Sequence, residues 1–143
     1  MKAISPVIAT VIIVAVAIAI SIAVALWITG LTSTFTGVEK LEIVNAYAVW
    51  DSNASQWNVT IIVRNTGTKP ATIDDVFINN IPIMKKLSIT FTNGKTINPG
   101  TNTTIEFQLS TKIDNLTFTH GQTISIVIHT ASGGQYPAQI TLP

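Results

Sequence analysis

The chain has 143 residues, no cysteine and a formal net charge of +1, and only 10% of its residues are charged. This length fits one ordinary domain plus an appendage, and the lack of cysteine excludes disulfides as a source of stability. Lys2 is the only charged residue before Glu39, and beyond it basic and acidic residues are equal in number. Because no basic stripe is present to neutralise phosphates, a nucleic-acid partner is not expected.

Residues 7–28 form an uncharged, strongly apolar stretch, VIATVIIVAVAIAISIAVALWI. A helix of this length spans roughly 33 Å, about the thickness of the hydrocarbon core of a bilayer. The alternation of Ala and Ile also fits a strand, but a lone strand in lipid would leave its backbone groups unpaired. We therefore predict a transmembrane or filament-core helix, with Ser5 as the N-cap, Pro6 at the first helical position and Trp27 at the outer interface.

The residues that flank this helix do not decide whether it is cleaved off or retained. Lys2 favours a cytoplasmic N-terminus, which places the rest of the chain outside. A secretory signal peptide would be cleaved near Ala23-Val24-Ala25, whereas an uncleaved helix would remain as a signal anchor. Residues 29–37, TGLTSTFTG, indicate either a hinge of small residues or one or two further helical turns.

A third interpretation comes from residues 2–9, KAISPVIA. They resemble the N-terminus of archaeal type IV pilins, in which a basic residue, a small residue and an apolar residue precede Ser-Pro-Val-Ile and a long apolar helix. The resemblance implies cleavage by a prepilin peptidase after Ala3, so that residues 1–3 are a leader, Lys2, Ala3 and Ile4 form the processing site, and Ile4 begins the mature chain. Ile8 stands where many bacterial pilins have glutamate, which favours the archaeal branch.

Small residues recur at four-residue spacing in two sets along the helix. The first stripe is Ala15, Ala19 and Ala23, and the second stripe is Ala17, Ser21 and Ala25. An offset of two residues separates the stripes by about 200° around a helix, and small residues let helices approach closely. Opposed stripes suit a helix packed between copies in a non-closing filament, although an Ala/Ile-rich membrane helix also shows such stripes by chance.

From Val38 onward, short β-rich runs alternate with turn residues. The predicted strands are 42–50, 57–67, 71–80, 87–91, 103–110, 122–130 and 135–142. Asn93-Gly94 is typical of a hairpin turn. Seven or eight strands predict an all-β antiparallel sandwich over residues 37–143, after a helix and hinge over 4–36. The run VTIIVRNTGTKPATI (59–73) resembles the immunoglobulin-like domains of archaeal pilins and archaellins, which implies an immunoglobulin-like sandwich.

Residues with catalytic potential are few. His120 is predicted in a turn and His129 late in a strand, and neither has cysteines or an acidic cluster at ligand spacing. Asp74-Asp75 is better explained as a solvated turn opening a strand than as an acid/base pair, and Asp114 falls in a loop. We therefore expect no enzyme activity, no metal and no cofactor.

Four sequons fit the acceptor rule for N-glycosylation. Their asparagines are Asn53, Asn58, Asn102 and Asn115. All four fall in or beside predicted turns or exposed strand ends. We predict that at least one of them carries a glycan.

Together these features predict a structural subunit of an archaeal type IV pilus, with a role in adhesion or surface attachment. Its partners would be copies of itself in a helical filament, the membrane before assembly, and the prepilin peptidase and pilus assembly machinery. It would be located in an extracellular filament. The alternative is a membrane-anchored extracytoplasmic binding module whose helix stays in lipid.

Overall fold

The computed structural model describes residues 5–35 and 37–143, and the chain divides into two compact units after Gly37. The first unit contains one helix, α1 (Pro6–Phe35), and the second contains only strands, turns and loops. The predicted processing residues, Lys2, Ala3 and Ile4, lie outside the described residues.

Helix α1 begins where the sequence predicts. The N–H of Ala9 donates to the carbonyl oxygen of Ser5 at 3.1 Å, which places Ser5 at the N-cap position and Pro6 in the first turn. The helix then continues through Thr29 and Thr32, whose hydroxyls donate to carbonyl oxygens four residues earlier. Residues 29–35 are therefore helical, which agrees with the further helical turns predicted for this segment.

The membrane-spanning potential of α1 depends on its length and composition. Its segment Pro6–Thr32 has 27 residues, and the most apolar 18 consecutive residues in it have a mean hydropathy of 3.1. Thr10 and Ser21 lie within this segment, and their hydroxyls donate to backbone carbonyls one turn earlier, both at 2.7 Å. Because these side chains are satisfied internally, they cost little in an apolar environment.

Six strands of seven or more residues form the body of the second unit: β1 (Leu41–Asp51), β2 (Gln56–Asn65), β3 (Ala71–Ile78), β7 (Asn102–Ser110), β10 (Thr123–Thr130) and β11 (Gln135–Thr141). Five strands have two residues each: β4 (Ile81–Pro82), β5 (Thr90–Phe91), β6 (Thr96–Ile97), β8 (Lys112–Ile113) and β9 (Leu116–Thr117).

These strands form two main antiparallel sheets. The first sheet has the order β1-β2-β7-β5, and the second has the order β11-β10-β3-β4, with β6 also paired to β3. Strands β8 and β9 form a separate hairpin. The second unit is thus an antiparallel immunoglobulin-like sandwich, which confirms the predicted fold class.

The alternation of side chains explains why the sheets face each other. In β2, Val59, Ile61 and Val63 are buried, whereas Ile62 on the opposite face is only half-buried. In β10 the same period of two buries Ile124, Ile126 and Ile128 completely. The two sets belong to one hydrophobic core cluster. Burial of each such side chain contributes about 1.5–3 kcal/mol, so this core holds the sandwich together without disulfides.

The predicted hairpin at Asn93-Gly94 is wrong. Strand β5 before it pairs with β7 in the first sheet, whereas β6 after it pairs with β3 in the second. Gly94 does adopt the left-handed conformation of a tight turn, with φ of 82°. The dipeptide fixes the turn, but long-range pairing decides which strands it connects. For the same reason, only Thr90–Phe91 of the predicted strand 87–91 is paired as a strand.

The predicted turn at Asp74-Asp75 is also wrong. Both residues lie within β3, opposite a register shift in β10 between His129 and Thr130. The Asp75 carboxylate oxygen Oδ1 accepts the N–H of Val76 at 2.8 Å and that of Met84 at 3.2 Å. The carboxylate therefore satisfies two backbone donors beside the irregularity in the ladder.

Candidate functional site

Both small-residue stripes lie on the continuous helix α1, as predicted. In the first stripe the central residue is Ala19, and in the second it is Ser21, whose hydroxyl donates to the Ala17 carbonyl oxygen at 2.7 Å. Larger apolar side chains occupy most of the other positions of the helix. The exposed fraction is 54% for Ile12 and 57% for Ile20. An apolar surface around the whole helix indicates that lipid or other protein covers it.

The sandwich has two ends that can be defined by its strand register. We call one the root end, where Leu41 pairs with Asn65 and the chain enters the domain at Val38. We call the other the tip, where Trp50 pairs with Trp57. Strand β1 has 11 residues and runs from root to tip. At about 3.3 Å per residue, the two ends lie roughly 30 Å apart.

A buried asparagine organises the root end. Asn65 is fully buried, and its side-chain Nδ2 donates to the carbonyl oxygens of Lys69 at 2.7 Å and Ile97 at 2.8 Å. Its Oδ1 accepts the N–H of Gly67 at 2.9 Å. The 65–70 turn also holds the segment that enters the domain, because Val38 exchanges hydrogen bonds with Thr68. Sequence reasoning identified the turn but missed its role as an anchor.

An aromatic cluster occupies the tip. The ring centroids of Trp50 and Trp57 lie 4.6 Å apart, and that of His120 lies 4.4 Å from Trp50. The His120 Nδ1 atom lies 2.5 Å from the carbonyl oxygen of Pro143, which can only accept, so this nitrogen carries the proton. His120 does lie in a turn, as predicted, but the sequence held no sign that it contacts two tryptophans.

The titratable side chains named above do not converge. His129 lies in β10, and its Nδ1 atom is 3.9 Å from Asp74 Oδ2 on the outer face of the second sheet. Asp114 forms an ion pair with Lys86. Within residues 5–35 and 37–143, no three His, Cys, Asp or Glu side chains are grouped as a metal site would require.

The four sequons fall into two structural classes. Asn53 lies in the turn between β1 and β2, and Asn115 lies in the turn of the β8–β9 hairpin. Asn58 lies inside β2, where the prediction had placed it at a strand end or turn, and Asn102 is the first residue of β7. The turn sequons are both at the tip, because Gln56 of β2 pairs with the last residue of β7, from which the hairpin follows.

Comparison with known proteins bears on the fold of this chain. No family model matches the chain, and no curated protein matches it. Among solved structures it is similar to the archaellum periplasmic stator protein FlaG from Sulfolobus acidocaldarius, with a TM-score of 0.53 and 19% identity, over 71% of this chain and 99% of that one. The chain shares the FlaG fold. A likeness to the secreted serine protease VesC from Vibrio cholerae has a TM-score of 0.41 and 12% identity, over 73% of this chain and 22% of that one, and supports no conclusion.

Proposed function

We propose that this chain is a structural subunit of an extracellular filament of the type IV pilus class, with adhesion or surface attachment as its role. The observation that carries the proposal is α1. Its 27-residue apolar segment is long enough for a bilayer, yet none of its most apolar window is buried within the chain. Such a helix needs a partner that covers it on all sides, and copies of itself meet that need.

The helix would act in two environments in succession. Lipid holds it before assembly, while the sandwich lies outside the cytoplasm. A prepilin peptidase then cleaves after Ala3, and assembly machinery moves the helix from lipid into the filament core. Since lipid tails are as apolar as Val and Ile, close packing at the small-residue stripes drives this step more than the hydrophobic effect does.

The shared fold with FlaG supports an appendage role at the cell surface, since that protein is described as part of the archaellum. It also favours a second candidate, because FlaG is described as a periplasmic stator. In that alternative, α1 remains in lipid and the sandwich acts as an anchored binding module outside the cytoplasm. The two candidates differ in whether α1 leaves the membrane.

Electron microscopy of material sheared from the surface of producing cells tests the proposal. Fibres labelled by an antibody against the sandwich are expected. Recovery of the chain exclusively in detergent-solubilised membrane, as a monomer or closed oligomer, would reject the filament and favour the anchored module.

A further inference from the structure

We propose that the folded domain carries N-linked glycans at Asn53 and Asn115, the two tip sequons. This rests on the proposed function only in requiring that the sandwich lies outside the cytoplasm. The sequence offers four equivalent motifs, and the structure separates them by access and by backbone pairing.

The two classes of sequon differ first in how accessible they are to a glycosyl transferase. A glycosyl transferase has to reach both the asparagine carboxamide and the hydroxyl residue two positions later, which is why such sites occupy surface loops. In the turn sequons both members are exposed: Asn53 with Ser55, and Asn115 with Thr117. In the strand sequons the asparagines are exposed, but the hydroxyl residues, Thr60 and Thr104, are half-buried.

Backbone pairing distinguishes the classes again. Asn58 lies in an inner strand and pairs with Val49 on one side and Gln108 on the other. Asn102 pairs with Arg64, and its carbonyl oxygen accepts a hydrogen bond from Asn93 Nδ2 at 2.9 Å. Bending either sequon into an enzyme site would break these inter-strand bonds and expose polar groups.

The turn sequons are bonded differently. The N–H of Asn53 donates to its own turn, to Asp51 Oδ1 at 2.9 Å, and Ser55 has φ of 52°. Asn115 is in the two-residue turn of a short hairpin, after Asp114 with φ of 48°. The Asn53 sequon lies wholly in its turn, and the Asn115 sequon is paired only within the short β8–β9 hairpin. An enzyme can therefore bind either one without opening one of the two main sheets.

The chemistry needs one co-substrate, an oligosaccharide linked to a polyisoprenyl phosphate or diphosphate. The carboxamide Nδ2 of Asn53 or Asn115 forms a bond to the anomeric carbon of the first sugar. The bond between that carbon and the phosphate oxygen breaks, the lipid phosphate leaves, and the nitrogen loses one proton to a base of the transferase. No oxidation or reduction occurs.

The position of the two turn sequons at the tip predicts what the glycans would do. Both glycans would project from the tip, roughly 30 Å from the root end. A chain with 10% charged residues has few ionic groups to keep a projecting surface hydrated. Two glycans would supply that hydration and shield the exposed turns.

Mass spectrometry of the full chain, isolated from the cells that naturally produce it, tests the proposal. Glycopeptides at Asn53 and Asn115 are expected. Each of the variants Asn53→Gln and Asn115→Gln should lower the intact mass by one glycan. The matched controls Asn58→Gln and Asn102→Gln should keep the full glycan mass.

Two results would overturn the proposal and leave the proposed function intact. One is an intact mass equal to that of the bare polypeptide while external protease digests the sandwich on whole cells. The other is glycan on Asn58 or Asn102 with both turn sequons unmodified. If protease digests the sandwich only after lysis, its extracytoplasmic location is wrong, and the proposed function fails together with the glycosylation.

Discussion

Trp57 and Pro143 are 86 residues apart in sequence and are joined by a hydrogen bond in which the indole Nε1–H donates to the proline carbonyl oxygen at 3.0 Å. Trp57 is fully buried, and His120 bonds to the same oxygen. This pairing fastens the segment after β11 to β2 of the other sheet. It closes the sandwich at the tip without a disulfide, the cross-link that small extracellular domains often use.

Replacing Trp57 with a smaller residue should destabilise the domain strongly. We expect Trp57→Ala to lower the free energy of unfolding by about 3–5 kcal/mol, because it leaves a large cavity. Trp57→Phe keeps most of the volume and should cost about 1–2 kcal/mol through the lost hydrogen bond. Denaturant titration of the full chain in detergent, followed by β-sheet circular dichroism, measures both. Equal losses in the two variants would contradict the role of the cavity.

Adjacent isoleucines in β2 provide a test of the sandwich itself. Ile61 is fully buried and Ile62 is half-buried on the outer face of the first sheet. Ile61→Ala should therefore cost about 2–5 kcal/mol, and the matched control Ile62→Ala about 1 kcal/mol. The same titration applies, and a larger loss for Ile62→Ala would show that the strand faces the other way.

The root end should not tolerate a side chain at Gly67. A Cβ placed there would collide with the Val38 carbonyl oxygen and lie 2.6 Å from the Lys40 nitrogen. Because both atoms belong to the backbone, we expect Gly67→Ala to cost about 1–3 kcal/mol. Gly30→Ala in α1 is the control, since a Cβ there has nothing within 4 Å. Unchanged sandwich stability in Gly67→Ala would show that the turn can move.

The small-residue stripes predict a position-dependent assembly defect. Ala19→Leu adds bulk at the centre of the first stripe without adding polarity, so it should reduce filament yield at unchanged membrane insertion. Ala9→Leu makes the same change at a position about 80° away around the helix, and it should retain more filament. Sheared fibres and membrane fractions quantified on one immunoblot give the comparison. Normal filaments in Ala19→Leu would show that the stripes do not drive assembly.

Processing makes a prediction about the first residue. N-terminal sequencing of assembled material should begin at Ile4, because the pilin-like motif implies cleavage after Ala3. Ala3→Pro should block cleavage and leave the chain in the membrane with its original N-terminus, since proline restricts the backbone at the scissile bond. Filaments whose subunits keep Met1 would contradict processing while leaving assembly through α1 open.

Local patterns accounted for most of the elements. Apolar continuity was enough for α1, and the period of two was enough for β2 and β10, because each of these patterns expresses burial along a single segment. The sequence did not show in the same way which strands pair with each other. The Asn93-Gly94 turn connects different sheets, and the Asp74-Asp75 pair lies within β3, because non-local pairing competes with the local preference of these residues.

The sequence by itself determined a membrane-compatible helix, an antiparallel sandwich and four candidate sequons, since composition and periodicity report what each segment can bury. Only the tertiary structure decided that Asn65 and Gly67 organise the root end, that Trp57 and His120 both bond to Pro143, and that two sequons lie in turns at the tip. These relationships join residues from different strands. Their geometry comes from sheet register and packing, which no single segment encodes.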